Sequence, residues 1–152
     1  MEGTAHRKVY GNTKKNTDVL QTELRSTEDV EKFMSENEEE FRLLNVAEYL
    51  NRLLIDYNLE KCDIARRGGF TGNYPYQIFN GKKKASRDKL IQMALGFPLT
   101  VEETQDLLHL AGYAGLYVRN SRDAYLMFAV EKKFTFQKTN ELLFRNKEKM
   151  LE

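Results

Sequence analysis

Residues 59–87, LEKCDIARRGGFTGNYPYQIFNGKKKASR, form the stretch that decides the fold of this chain. A run compatible with a short helix, residues 60–67, breaks at Gly68-Gly69, and a second run follows at residues 73–79. That second run stops at Asn80-Gly81, and three lysines come directly after it. Two short helices joined by a glycine-containing turn, with cations at the exit, are typical of a helix-turn-helix.

The segments on either side of this stretch also have helical patterns. A stripe of apolar residues at helical spacing precedes it: Val46, Leu50, Leu53, Leu54 and Tyr57. Asn58 ends that helix. After the stretch, Ser86 is placed to cap a helix over residues 87–96, and Thr100 with Glu103 forms a capping box for the next one. The sequence therefore predicts five helices between residues 45 and 112 and no strand.

Two further helices are predicted after a loop at residues 113–119. Asn120 or Ser121 caps the first, which contains the apolar run AYLMFAV at residues 124–130. Because this run has no polar face, we expect the helix to be buried on most sides, either as a dimer interface or as an anchor to the core. Thr135 begins the last helix, and the charged C-terminal end is expected to fray.

The N-terminal part of the chain has the weakest pattern. Residues 1–25 show no period of a helix or strand, which favours a flexible tail or a loosely docked arm. A short helical extension is predicted to begin at the segment Ser26-Thr27-Glu28-Asp29, with a hydroxyl as its N-cap. The chain is thereby divided into a tail (1–25), this extension (26–44), a helix-turn-helix domain (45–117) and a C-terminal helical pair (118–152).

Composition limits the classes of function. With 152 residues, 41% of them hydrophobic and 31% charged, the chain is typical of a soluble globular protein. No apolar run is long enough to span a membrane, no signal peptide is expected, and the lone Cys62 fits a cytoplasmic protein. His6 and His109 cannot complete a metal-ligand set with it, and no nucleophile-and-base pattern or phosphate-binding loop occurs. We therefore expect neither an enzyme nor a cofactor.

Positive charge is concentrated between residues 61 and 89. Eight cations lie there against only Asp63 and Asp88: Lys61, Arg66, Arg67, Lys82, Lys83, Lys84, Arg87 and Lys89. A local excess of this size is typical of a surface that contacts nucleic-acid phosphates. A solvated helix face followed by a basic loop is the alternative interpretation.

Several short motifs of the chain resemble the Xre/lambda-repressor-like helix-turn-helix regulators, in the same order and without a gap. Ile64-Ala65 resembles the "LA" pair of the family's second helix, and Asn80-Gly81-Lys82 resembles the turn after its recognition helix. Ser86-Arg87-Asp88 resembles the start of its fourth helix. Small Gram-positive bacterial members with a C-terminal helical extension are especially similar. The resemblance implies an all-α fold, with a five-helix DNA-binding domain, an N-terminal extension and a C-terminal helical pair.

The resemblance also implies which residues contact double-stranded DNA. The positions that read bases in the major groove would be Thr71, Gly72, Asn73, Tyr74, Tyr76 and Gln77. The positions that bind phosphates would be Lys61, Lys82, Lys83, Lys84 and Arg87. Lys61 would do so beside the free N–H groups of its helix. An internal hydrogen bond is the alternative role for Gln77.

Two residues depart from the family pattern. Pro75 lies where the recognition helix usually has an aliphatic residue, and because proline suits only a first turn, the helix is expected to start near Asn73. Gly72 has no side chain with which to read a base. The predicted function is a sequence-specific transcriptional regulator, a repressor acting as a homodimer on a palindromic operator. The alternative is a protein-interaction module, an antitoxin-like or kinase-associated partner with a degenerate helix-turn-helix.

Overall fold

The computed structural model of the protein describes residues 9–11 and 13–152. Within these residues the chain forms nine α-helices and no β-strand, which confirms the predicted all-α class. The chain divides into two compact units, one ending at Leu44 and the other spanning Asn45–Glu152.

The first unit contains helices α1 (Thr17–Ser26) and α2 (Val30–Glu36), followed by one 3-10 turn, Glu38–Phe41. Asn16 caps α1 by accepting a hydrogen bond from the backbone N–H of Val19, and no residue of α1 is buried. This helix was not predicted, because it lies in the segment assigned to a tail. Residues 1–8 and 12 of that segment lie outside the described residues.

Helix α2 begins later than its predicted hydroxyl cap. Asp29 is the N-cap, and its side chain accepts a hydrogen bond of 3.1 Å from the backbone N–H of Lys32. The hydroxyl of Thr27 instead accepts a hydrogen bond from the backbone N–H of Asp29. Both hydroxyl and carboxylate side chains can cap a helix, so composition alone did not distinguish the two positions.

The second unit is described throughout and contains the remaining helices. These are α3 (Val46–Tyr57), α4 (Lys61–Arg67), α5 (Tyr74–Phe79), α6 (Arg87–Gly96), α7 (Val101–Leu110), α8 (Ser121–Glu131) and α9 (Phe136–Arg145). The five helices expected between residues 45 and 112 are thus confirmed. Ser86, Thr100, Asn120 and Thr135 each cap the helix that the sequence assigned to them.

Helix α6 is the centre of this unit. Its residues from Leu90 to Gly96 are all buried, because α4, α7, α8 and α9 pack around it. Helix α5 packs against both α3 and α4. A Cβ at Gly96 would lie 2.7 Å from the backbone oxygen of Ile64, so only glycine allows α4 and α6 to approach this closely.

The C-terminal pair, α8 and α9, packs on α6. Leu126, Ala129 and Val130 of the apolar run are buried, but Phe128 is 48% exposed. The expectation that α8 is buried on most sides was therefore wrong for the face that carries Phe128. The ring of Phe128 contacts that of Phe134 edge-on, with centroids 5.7 Å apart, and is only partly covered by it.

The C-terminal end does not fray as expected. Leu151 is buried, and its backbone N–H donates a hydrogen bond of 2.7 Å to the side chain of Asn140. The Asn140 amide in turn donates to the backbone oxygen of Leu151 at 3.3 Å. Arg122 also binds the backbone oxygens of Lys149 and Met150. These contacts fix the last residues against α8 and α9.

Candidate nucleic-acid interface

The turn between α4 and α5 depends on its two glycines. Gly69 has φ = 70°, a backbone conformation that is energetically unfavourable for residues other than glycine. Gly68 lies so close to α6 that a Cβ there would be 3.0 Å from the backbone oxygen of Gln92. The buried amide of Gln92 donates a hydrogen bond of 2.8 Å to the backbone oxygen of Gly68. The turn is therefore held against the core helix.

Helix α5, the candidate recognition helix, starts where the sequence predicted. Asn73 is its N-cap, and Pro75 lies in the first turn, where a missing N–H costs no helical hydrogen bond. At the other end the amide of Asn51 on α3 donates a hydrogen bond of 2.8 Å to the backbone oxygen of Phe79. Gly81 then reverses the chain with φ = 78°.

The predicted base-reading residues lie on the accessible side of α5 and the turn before it. Thr71, Gly72, Asn73 and Tyr76 are exposed, whereas Tyr74 and Gln77 are half-buried. The side chain of Asn73 does not cap the helix. Among the described residues the Gln77 amide has no hydrogen-bond partner, so the geometry does not support the alternative of an internal hydrogen bond.

Two aromatic rings and two lysines form a cluster at the start of α5, which we call the aromatic–lysine cluster: Phe70, Tyr74, Lys83 and Lys89. The rings stack with centroids 6.2 Å apart. The ammonium of Lys83 lies 5.3 Å from the Tyr74 centroid, and that of Lys89 lies 5.6 Å from it. Such cation–π contacts contribute roughly 0.5–1 kcal/mol each at exposed sites. They hold two positive charges beside the N-terminal end of α5.

Phe70 and Lys89 were not among the predicted site residues. Lys89 belongs to the charged run of the sequence, which was the one available signal for it. Its approach to Tyr74 depends on how α6 packs against the turn, and no local pattern contains that information. Phe70 follows the two glycines directly, and no pattern in the sequence marks it as a site residue.

The predicted phosphate-binding lysines differ in their surroundings. Lys82, Lys83 and Lys84 are exposed after α5, and Lys84 also lies 5.8 Å from the ring of Tyr113. Lys61 is half-buried, with its ammonium 5.7 Å from the centroid of Phe79.

Carboxylates stand at the start of α4, where the predicted phosphate contact of Lys61 would lie. The carboxylate of Asp63 accepts a hydrogen bond of 3.0 Å from the backbone N–H of Glu60. This bond, together with the nearby guanidinium of Arg66, lowers the pKa of Asp63. The cap is therefore charged at neutral pH and is lost only as the pH falls through that lowered pKa. A phosphate at this position would meet carboxylates.

Arg87 has a structural role instead of the predicted phosphate contact. Its guanidinium forms a bidentate ion pair with Asp123, with distances of 3.1 and 2.9 Å, and binds the backbone oxygens of Ala114 and Gly115 at 3.0 Å. Four of its five N–H groups are thereby used within the unit. The neighbouring Asp88 pairs with Arg122 at 2.9 Å. Together these pairs join the start of α6 to the start of α8.

Other kinds of site are not evident in the described part of the chain. No group of three His, Cys, Asp or Glu side chains within residues 9–11 and 13–152 could hold a metal ion. None of the helices described there is both long enough and apolar enough to cross a membrane. A comparison of the chain with models of known protein families, with curated proteins and with solved structures finds no match.

Proposed function

We propose that this protein binds double-stranded DNA sequence-specifically and regulates transcription, with α5 inserted into the major groove. The observation that supports this most strongly is the accessible polar face of α5 beside a group of exposed lysines. Asn73 and Gln77 lie four residues apart, so they are on the same side of the helix. Each amide can pair bidentately with adenine, which discriminates against a wrong base by about 1–3 kcal/mol.

The lysines supply the part of the affinity that does not depend on sequence. Lys82, Lys83 and Lys84 follow α5, and Lys89 stands beside its first residue, so cations lie at both ends of the helix. If each of these lysines neutralises one phosphate, the affinity of one subunit should fall roughly a hundredfold between 50 and 200 mM salt.

A homodimer and repression complete the proposal. A helix of only six residues reaches a few base pairs, and a second copy doubles the contacts on a palindromic operator. A dimer that occupies an operator excludes other proteins from the same DNA, which is the basis of repression.

A second candidate is a protein-interaction module whose helix-turn-helix does not bind DNA. The carboxylates of Glu60 and Asp63 favour it, because they stand at the start of α4, where a helix N-terminus would otherwise attract phosphate. Gly72 favours it as well, because this residue has no side chain with which to read a base. Under this candidate the exposed face of α5 would contact an antitoxin-like or kinase-associated protein partner.

Electrophoretic mobility shifts on mixed-sequence double-stranded DNA at 50, 100 and 200 mM salt separate the two candidates. DNA binding predicts a shift that weakens steeply with salt. It also predicts that the combined change of Lys82, Lys83 and Lys84 to glutamine flattens the salt dependence. Changing Lys132, Lys138 and Lys149 to glutamine is the matched control, because it removes the same charge from the C-terminal pair. Absence of any shift at 50 mM salt would contradict DNA binding and support the second candidate.

A further inference from the structure

Phe136, the first residue of α9, packs directly on the helix-turn-helix turn. A Cβ added to Gly69 would overlap the ring of Phe136, and the three atoms nearest to that Cβ all belong to this ring. The ring therefore occupies the space that a side chain at position 69 would need. The contact joins the C-terminal pair to the residues between α4 and α5.

The contacts continue from the turn to the start of α5. Gln92 holds the opposite side of the turn by its hydrogen bond to Gly68. Phe70, which follows Gly69, places its ring over Gly68. A Cβ added to Gly68 would lie 2.9 Å from Cε2 of Phe70. The same ring stacks on Tyr74, the first residue of α5. A displacement of Gly69 would thus be passed to Tyr74 through one aromatic side chain.

We infer that Phe136 is a positioning residue that sets the orientation of α5. This inference rests on the proposed function, since α5 is the element that would enter the groove. A helix of six residues has little stability of its own, so its direction depends on the contacts of its buried face and of its two ends. Its C-terminal end is tied to α3 through Asn51, and its N-terminal end depends on the turn.

Phe136 has a rigid support. Thr135 caps α9 by accepting a hydrogen bond from the backbone N–H of Lys138, and Leu143 of the same helix is fully buried. Asn140 fixes the C-terminal residues against α9 through its two hydrogen bonds with Leu151. The backbone that carries the ring therefore belongs to a well-packed helix.

The test compares three alanine variants of α9 in the full chain. Phe136→Ala removes the contact, Leu142→Ala removes a buried side chain elsewhere on the helix, and Phe144→Ala removes a ring that is 71% exposed. Amide resonances of Tyr74, Tyr76 and Gln77 in the free protein, which lie beyond the turn that the ring contacts, should shift with Phe136→Ala alone. The ratio of specific to non-specific DNA affinity should fall about tenfold for that variant. Unchanged resonances at Tyr74, Tyr76 and Gln77 would overturn the inference, whether or not the protein binds DNA. Absence of DNA binding by the unaltered protein and by all three variants would contradict the proposed function alone.

A double-mutant cycle with Gly69→Ala keeps the inference testable if Phe136→Ala proves unstable. Gly69→Ala alone should displace the ring and shift the same resonances. Because the strain at φ = 70° is present in both backgrounds, it cancels in the cycle. The shifts caused by Gly69→Ala should be much smaller in Phe136→Leu, whose side chain is smaller than the ring. Equal shifts in the two backgrounds would show that Phe136 does not position the turn.

Discussion

Gln77 and Lys83 lie on either side of the turn that ends α5, and they should contribute differently to DNA recognition. The amide of Gln77 can pair with one base, whereas Lys83 carries a charge that any phosphate attracts. Gln77→Ala should therefore relax the preference at one base pair, and Lys83→Ala should weaken binding to all sequences and lower the salt slope by about 1. Binding to a panel of single-base variants of one site measures both effects. Equal losses on every sequence from both changes would contradict this assignment.

Glu60 should reduce DNA affinity. Its exposed carboxylate stands at the start of α4, next to Lys61, which is predicted to contact a phosphate. Glu60→Gln removes the repulsion between these charges and should raise affinity about threefold at low salt, the size expected for two charges some 6 Å apart in water. Glu102→Gln, an equally exposed change on α7, is the control and should have no effect. An unchanged affinity for Glu60→Gln would place the phosphate elsewhere.

At the scale of elements, the start of α6 and the start of α8 are joined by crossed ion pairs. Removing Arg87 leaves Asp123, which is 7% exposed, without its bidentate partner. Arg87→Ala should destabilise the protein by about 2–3 kcal/mol, the usual cost of stranding a buried hydrogen-bonded charge. Urea denaturation followed by circular dichroism measures this loss. Arg119→Ala, at an exposed loop position, is the control, and equal stability of both variants would refute a structural role for Arg87.

Helix boundaries in the second unit were predictable because capping is local. Ser86, Thr100 and Thr135 are each followed three residues later by the N–H that they bind. The late start of α5 followed from Pro75 for the same reason. In the first unit the absence of a regular apolar stripe hid α1, whose side chains are not buried.

Contacts between distant residues could not be predicted in this way. Arg87 and Asp123 are separated by 36 residues, and no spacing or motif in the sequence indicates that they form a pair. In sequence terms Arg87 looked like one more cation after the lysines. The approach of Phe136 to Gly69 and of Lys89 to Tyr74 likewise depends on how α6 and α9 pack. The exposed lysines could be identified from the sequence, whereas the pairing of Arg87 with Asp123 became known only from the packing.

At the scale of the whole molecule, residues Asn45–Glu152 should unfold as one cooperative unit, because the C-terminal pair packs on the central helix α6. Leu143→Ala should lower the free energy of unfolding by about 3 kcal/mol, since it opens a cavity at a fully buried position. Phe144→Ala should change it by less than about 0.5 kcal/mol. Tyrosine fluorescence and circular dichroism should give the same transition, whereas a separate early transition for α8 and α9 would contradict this view.

Selection of bound sites from a random double-stranded DNA library tests sequence-specific recognition most directly. A dimer that reads DNA with α5 should enrich a pseudo-palindrome whose half-sites lie about 10 base pairs, or a multiple of that, apart. At physiological salt the enriched site should bind at least about a thousandfold more tightly than a scrambled site of the same length. Failure to enrich any sequence, or equal affinity for the enriched and scrambled sites, would contradict the account.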